Sequence, residues 1–223
     1  MSKCMPLDAV DEVAPRVIDV VHDGDLAVVP TDTVYAVIAN AFDPDATGRL
    51  YAAKQRQQRE PLGVVIRSPR QVSGLVGAIS EAADRLMASY WPGPLTLVFL
   101  ATEGLSWQLG ETRGTVSLRM PTDELLLAIA TEIGPLACTA ANRRGDPPPT
   151  TCALAQAQLG DEVALYVDGG ARAGVWSTVV DVTSEDAVVV REGAISDADI
   201  QAVATGAVGW GERPVADEGA PPE

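Results

Sequence analysis

The sequence predicts an α/β fold in which a mixed sheet is flanked by helices. Segments typical of strands and segments typical of helices alternate irregularly along the chain. Several successive strands are separated by too few residues for a crossover helix, which favours a mixed sheet over a purely parallel, doubly wound one. No internal repeat of solenoid length appears in the sequence.

Five segments carry apolar residues at helical spacing, and most of them begin or end at a recognisable signal. Pro15 should break or kink the first helix. Asp43 is a candidate N-cap with Pro44 in the first helical position, Ser80 is a second candidate cap, and Gly134 stops the most apolar helix. The predicted helices cover residues 7–21, 44–55, 80–90, 123–134 and 197–205.

The predicted strands are short runs rich in aliphatic residues, beginning with LAVV and LGVVIR and ending with STVVDV and AVVVRE. TVSLRMP alternates between apolar and polar residues, as expected of a strand buried on one face. The predicted strands cover residues 26–29, 62–67, 95–101, 115–121, 136–139, 164–168, 177–182 and 187–192.

The chain of 223 residues suits one domain, which we assign to residues 1–206. From about Gly206 the sequence becomes rich in Gly, Pro and Glu and loses its aliphatic periodicity. We therefore predict that residues 207–223 form an acidic, disordered tail.

The formal net charge is −15, with 31 acidic and 16 basic residues. Such a surface repels phosphate backbones, so broad binding to nucleic acid is not expected, although one local basic pocket could still hold a small phosphorylated ligand. No apolar run is long enough to span a bilayer, and the N-terminus lacks the apolar core of a signal peptide. We expect a cytoplasmic protein without membrane contact.

Few residues are available for acid–base or metal chemistry. The single histidine, His22, lies beside a turn and is expected at the surface, which argues against catalysis through Ser-His-Asp or Cys-His groups. The three cysteines, Cys4, Cys138 and Cys152, match neither a zinc site nor a disulfide framework. We predict no metal-ligating residue in the protein.

Hydroxyl and cationic side chains cluster at the ends of predicted strands and helices. The segments are PTDTVYAV (30–37), KQRQQREPL (54–62), TVSLRMP (115–121), TAANRRGDPPPTT (139–151), STVVDV (177–182) and REG (191–193). The chain has no phosphate loop of the Walker type and no dinucleotide-binding G-x-G-x-x-G after the first strand. This inventory suits positioning and charge stabilisation, as in phosphoryl or nucleotidyl transfer.

Each cluster also has a purely structural interpretation. Lys54 and Arg56 could be solvated charges at a helix end. Arg119, inside an alternating strand, needs either a structural carboxylate or an anionic ligand as its partner. The valines before Arg191 predict that this residue is partly buried.

Together with WPGPLTLV (91–98), and in their order along the chain, these six segments resemble the YrdC-type threonylcarbamoyl-AMP synthase family. The matching motifs of that family are PTDTVYGL, K-x-R-x-x-x-K-P-L, W-P-G-x-L-T-L, T-x-x-x-R-x-P, T-S-A-N-x-S-G, S-T-V-V-D and R-x-G. The resemblance covers residues 15–200. It implies a YrdC-like twisted mixed sheet, flanked by helices, around a central cavity. It also implies that L-threonine, bicarbonate and ATP give threonylcarbamoyl-AMP and pyrophosphate, for the threonylcarbamoyladenosine modification of tRNA by a downstream transfer machinery.

The resemblance also implies residue roles. Lys54 and Arg56 are expected to be catalytic and, with Arg191, to surround the triphosphate of ATP; Thr115 and Asn142 are expected to complete the nucleotide site. For threonine, Arg119 is expected to pair with the carboxylate. The other residues expected to contact the substrate are Thr33, Tyr35, Thr139 and Ser177. Mg²⁺ is expected on the phosphates, held mainly by ATP oxygens and water.

Some positions depart from the family pattern. Glu60 replaces the lysine before P-L, Ala140 and Arg144 replace two serines, and Pro148 replaces a third. An anion near a triphosphate is unfavourable, and we hypothesise that Arg143 and Arg144 compensate for it. The alternative is a paralogue with lost or altered activity, either a nucleotide-binding module or an enzyme of carbamoyl transfer to another acceptor. A double-stranded RNA-binding protein is a further alternative, which the net charge disfavours.

Overall fold

The computed structural model describes residues 3–214, and within them ten strands form one sheet. The strands are β1 (Lys3–Pro6), β2 (Ala27–Val29), β3 (Ala36–Asn40), β4 (Gly63–Val65), β5 (Leu95–Leu100), β6 (Thr115–Arg119), β7 (Leu136–Ala140), β8 (Leu165–Asp168), β9 (Thr178–Asp181) and β10 (Val188–Arg191). Their order across the sheet is β1-β8-β2-β3-β7-β4-β6-β5-β9-β10.

Seven α-helices accompany the sheet in the described part of the chain. They are α1 (Val10–His22), α2 (Pro44–Ala53), α3 (Val72–Leu75), α4 (Glu81–Tyr90), α5 (Glu124–Glu132), α6 (Cys152–Leu159) and α7 (Asp197–Ala204). Two single turns of 3₁₀-helix, Pro69–Gln71 and Gly160–Glu162, lie next to α3 and α6. Among residues 3–214, none of these helices has the length and apolar character needed to cross a lipid bilayer.

The sheet is mixed, which confirms the predicted fold class. Parallel pairs are β1–β8, β2–β8, β4–β6 and β5–β9. Antiparallel pairs are β2–β3, β3–β7, β4–β7, β5–β6 and β9–β10. The short connections β2–β3 and β9–β10 join antiparallel neighbours, as expected where no crossover helix fits. β5 and β6 are also antiparallel, although a longer loop joins them.

Apolar side chains from both faces of the sheet form two cores. On one face, α1 and α5 pack through residues such as Val17 and Ile129 against Val29 and Ile38. The larger core on the other face holds the apolar sides of α2, α4, α6 and α7. Because successive strand residues point to opposite faces, Val28 belongs to the second core and Val29 to the first.

All five predicted helices and all eight predicted strands are confirmed, with ends that differ by a few residues. The expectation that Pro15 breaks the first helix is wrong, because α1 runs through Pro15 to His22. His22 is exposed, as predicted. Four of the described strands and α-helices were not predicted: β1, β3, α3 and α6.

Residues 207–214 require a correction, because they pack against α4. Nε of Arg213 donates to the carbonyl oxygen of Ser89 at 2.8 Å, and its guanidinium lies over the ring of Tyr90. Arg85 lies in the same way over Trp210. The assignment of 207–214 to a loose tail is therefore wrong, while the remaining part of the predicted tail, 215–223, lies outside the described residues.

Candidate functional site

A cavity of about 390 Å³ lies over the face of the sheet that α1 and α5 cover only in part. Its floor comes from one face of the central strands, where Val65 pairs with Arg119 and Gly63 with Cys138. Its walls are the loops that follow β2, α2 and β7, together with the start of β9 and the end of β10. These are the segments in which the sequence clusters its hydroxyl and cationic residues.

The turn between β2 and β3 forms one wall, and its first threonine holds it in shape. The hydroxyl of Thr31 donates to the carbonyl oxygen of Val34 at 2.7 Å and accepts from the backbone N–H of Thr33 at 3.0 Å. Both threonines are buried yet line the cavity. The polar stretch after β2 therefore closes a tight turn and presents hydroxyl groups to the cavity.

Arg119 enters the cavity from β6 with all three guanidinium nitrogens hydrogen-bonded. Nε donates to the carbonyl oxygen of Gly93 at 3.1 Å, Nη1 to the hydroxyl of Thr33 at 3.2 Å, and Nη2 to the carboxylate of Asp32. The side chains of Arg119 and Asp32 are only 14% and 15% exposed. Of the two partners that the sequence left open for Arg119, Asp32 supplies the structural carboxylate, and the second N–H of each terminal nitrogen can still serve a ligand.

Lys54 lies at the end of α2 and is almost fully buried at 3% exposure. Its Nζ donates to the carbonyl oxygens of Ala140 and Asn142 and to Oδ1 of Asn142, so the ammonium group anchors the loop after β7. Burial, together with the charge of Arg56, lowers the pKa of Lys54 to about 7. Lys54 therefore lines the cavity with a group whose positive charge is lost as pH rises through about 7.

Arg56 and Asn142 complete this wall. Arg56 donates from Nη1 to the hydroxyl of Thr139 at 3.0 Å and from Nη2 to the carbonyl oxygen of Pro61 at 2.8 Å. Nδ2 of Asn142 donates to the carbonyl oxygen of Asp146 at 2.8 Å, which closes the loop upon itself. Burial lowers the pKa of Arg56 from its ordinary value.

The opposite wall holds Ser177 and Arg191. Nη2 of Arg191 donates to the carbonyl oxygen of Ser177 at 2.8 Å and approaches its hydroxyl at 3.2 Å, and the guanidinium lies 5.2 Å from the ring of Trp176. The hydroxyl of Ser177 is 3.0 Å from that of Thr96. Gly193 is required next to this pair, because a Cβ there would lie 2.3 Å from the carbonyl oxygen of Trp176.

The prediction that Arg191 is partly buried by its valines is wrong. Val188 and Val190 belong to the edge strand β10 and are 53% and 56% exposed. Arg191 as a whole is exposed, but its guanidinium lines the cavity, where partial desolvation, followed by the charge of Arg119, lowers its pKa.

Of the sequence-predicted site residues, eight line the cavity. They are Thr33, Lys54, Arg56, Arg119, Thr139, Asn142, Ser177 and Arg191. Tyr35 does not, because its side chain is fully buried and its hydroxyl donates to the carbonyl oxygen of Gly170 at 2.7 Å. Thr115 does not either, since it begins β6 at the far end and donates to the carbonyl oxygen of Thr112 at 2.7 Å.

Several cavity residues were not predicted as site residues. Ser117 stands two positions before Arg119 on the same face of β6, so strand alternation would have identified it. Thr31 sits within the polar stretch after β2. Cys138, whose pKa burial raises to about 11, and Trp176 carried no signal in the sequence pattern.

Charge is distributed unequally between the cavity and the rest of the protein. Although the chain has a net charge of −15, five cationic side chains line the cavity: Lys54, Arg56, Arg119, Arg144 and Arg191. Glu60 is the one carboxylate among the cavity-lining residues within 3–214. The same described residues contain no cluster of three or more His, Cys, Asp or Glu side chains that could hold a metal ion.

Comparison with known proteins identifies relatives across most of the chain. A family model that covers the Sua5, YciO and YrdC proteins and is described as "Telomere recombination" matches residues 19–193. The chain is 42% identical over 174 residues to a protein of Mycobacterium tuberculosis, which covers 78% of this chain and 80% of that protein. It is 37% identical over 185 residues to the threonylcarbamoyl-AMP synthase of Bacillus subtilis, covering 82% of this chain and 54% of the relative.

Solved structures extend this likeness to the fold. The crystal structure of Pyrococcus abyssi Sua5 complexed with L-threonine superimposes with a TM-score of 0.85 at 32% identity. The superposition covers 91% of this chain and 60% of that one. The chain thus spans little more than half the length of the Bacillus and Pyrococcus relatives.

Proposed function

Because the chain belongs to the family of Sua5, YciO and YrdC proteins, we propose that it is a threonylcarbamoyl-AMP synthase. L-Threonine and bicarbonate would form a carbamate with loss of water. A carbamate oxygen would then attack the α-phosphorus of ATP and release pyrophosphate. The product would supply the tRNA modification that yields threonylcarbamoyladenosine.

One observation carries this proposal: four cations expected from the sequence converge on one cavity of an acidic protein. Lys54 and Arg56 approach this space from the end of α2. Arg119 approaches it from β6 and Arg191 from β10. A reaction that joins an amino acid to a nucleotide must hold a carboxylate and a polyphosphate side by side, and this concentration of positive charge suits that need.

The amino-acid end of the cavity is assigned to Arg119 and the hydroxyl groups beside it. The guanidinium is fixed by Asp32, Thr33 and Gly93, so a carboxylate would meet a donor already oriented and would lose little entropy on binding. The Pyrococcus relative was solved as a complex with L-threonine, which supports threonine as the amino acid.

The polyphosphate end is assigned to Arg56, Arg191 and Asn142, with Lys54 supplying charge from behind the loop after β7. Cations of fixed orientation stabilise the negative charge that grows on the phosphates as pyrophosphate leaves. Mg²⁺ would suit this site as a partner of ATP oxygens and water, because Glu60, the one carboxylate that lines the cavity among residues 3–214, is paired with Arg144, and those residues offer no protein cage for a metal ion. When bound, it would neutralise further phosphate charge.

The second candidate is a paralogue that binds a nucleotide without making the adenylate. Glu60 and Ala140 favour it, since one adds an anion and the other removes a hydroxyl from the expected arrangement. Eight cavity residues retained from the family pattern favour the synthase.

The experiment is to incubate the purified protein with ATP, Mg²⁺, L-threonine and radiolabelled bicarbonate and to separate the nucleotides. The synthase requires a labelled nucleotide that is absent when threonine is omitted. ATP binding without any labelled nucleotide would favour the paralogue.

A further inference from the structure

Two charged residues at the rim of the cavity form an ion pair between its loops. Nε of Arg144, in the loop after β7, donates to Oε1 of Glu60, in the loop after α2, at 2.8 Å. The other carboxylate oxygen of Glu60 lies 3.8 Å from Nε of Arg56. One carboxylate therefore faces two guanidinium groups, and all three residues line the cavity.

The backbone fixes the same arrangement. The N–H of Arg144 donates to the carbonyl oxygen of Lys54 at 3.0 Å, so Arg144 is tied to the loop after α2 through both its backbone and its side chain. Asn142 closes the loop around it by bonding to the carbonyl oxygen of Asp146. The backbone of Arg144 is thus fixed by contacts within and beside its loop, and its guanidinium is held by Glu60.

We propose that Arg144 is a polyphosphate-binding residue of this cavity and that Glu60 is the residue that positions it. The cation that the family pattern places at position 60 would then be supplied from position 144, across the rim. This inference rests on the proposed function for the identity of the ligand, a nucleoside triphosphate.

The charges explain why the two residues should act as a unit. A lone carboxylate at position 60 would repel phosphate oxygens, whereas Glu60 between Arg56 and Arg144 belongs to a group of net positive charge. The hydrogen bond from Arg144 lowers the pKa of Glu60, so the carboxylate stays ionised and keeps its hold on the guanidinium.

Arg143 provides a matched control. It neighbours Arg144, carries the same charge and is also exposed, but it is not among the cavity-lining residues. Its backbone N–H donates to Oε1 of Gln158 at 3.0 Å, on the outer side of the loop. A nonspecific effect of net charge would appear equally in variants of either arginine.

The test measures the dissociation constants of ATP and of inorganic triphosphate by calorimetry for the wild type, R144S, R143S, E60K and the double variant E60K/R144S. We expect R144S to weaken both ligands about tenfold and R143S to change them less than about twofold. In the E60K background, R144S should raise the dissociation constants of both ligands less than about threefold, because the introduced lysine then supplies the cation. Thermal unfolding of each variant checks its fold; an exposed ion pair should contribute little to stability.

Equal losses from R144S in both backgrounds, or no loss in either, would overturn the proposal. So would a wild type that fails to bind triphosphate. Binding of triphosphate with the expected pattern of losses, but without threonine-dependent formation of a labelled nucleotide, would leave the ion-pair inference standing and refute only the synthase.

Discussion

At the scale of single residues, Arg119 depends on the planar shape of its guanidinium. Its three nitrogens contact Gly93, Thr33 and Asp32, and lysine cannot reproduce these three directions. We predict that R119K weakens L-threonine binding about tenfold while ATP binding changes less than about threefold. Calorimetric titration of each ligand measures both effects.

The control for this prediction is R85K. Arg85 pairs with Glu81 on α4 and does not line the cavity, so the same chemical change there should leave both affinities unaltered. Equal weakening of ATP and threonine by R119K would show that Arg119 does not separate the two ends of the cavity.

The low pKa of Lys54 predicts that nucleotide binding depends on pH. Below about pH 7 the ammonium is charged, and above it the buried amine is neutral, so a polyanion should bind less tightly as pH rises through about 7. We predict that ATP affinity falls between pH 6 and 8 by up to about tenfold more in the wild type than in K54M, which has no ammonium to titrate. The titration of ATP itself affects both proteins equally, so the difference between the two profiles reports the titration of Lys54. Parallel profiles would contradict the pKa of about 7 assigned to Lys54.

At the scale of elements, the segment after α7 stabilises α4 without contacting the cavity. Arg213 bonds to Ser89 and covers the ring of Tyr90. We predict that R213A lowers the free energy of unfolding by about 1 kcal/mol, as measured by urea denaturation, and leaves ATP affinity unchanged. R16A, at an exposed position on α1, is the control, and a change in ligand affinity for R213A would argue against a purely structural role.

The elements themselves could largely be predicted because their signals are local. Asp43 and Ser80 cap α2 and α4 as expected. The strand β3 was missed because all but its last residue are buried, so the sequence shows no alternation there. α6, with the sequence CALAQAQL, was missed because its apolar residues are spread around the helix and define no clear stripe.

Which residues reach the cavity was harder to predict, because that depends on distant parts of the chain. The hydroxyl of Tyr35 is bonded to Gly170, and Glu60 is paired with Arg144. Both contacts join segments that are separated by more than a third of the chain. Alternation along β6 places Thr115 and Ser117 on one face but does not give the point along the strand where the cavity lies, so the resemblance to the family led to Thr115 while Ser117 lines the cavity.

At the scale of the whole molecule, an acidic protein encloses a cationic cavity. The net charge of −15 disfavours the double-stranded RNA alternative, since a phosphate backbone would be repelled over most of the surface. A nucleotide small enough to enter the cavity would instead meet Arg56, Arg144 and Arg191. The charge distribution therefore supports a small anionic ligand.

The most direct test of the account measures pyrophosphate release from ATP by the wild-type protein with Mg²⁺, omitting L-threonine and bicarbonate in turn. We expect release only when both are present, because the carbamate formed from them is the nucleophile. Release without threonine, or no release from a protein that binds ATP, would contradict the synthase and assign the cations of this cavity to another reaction.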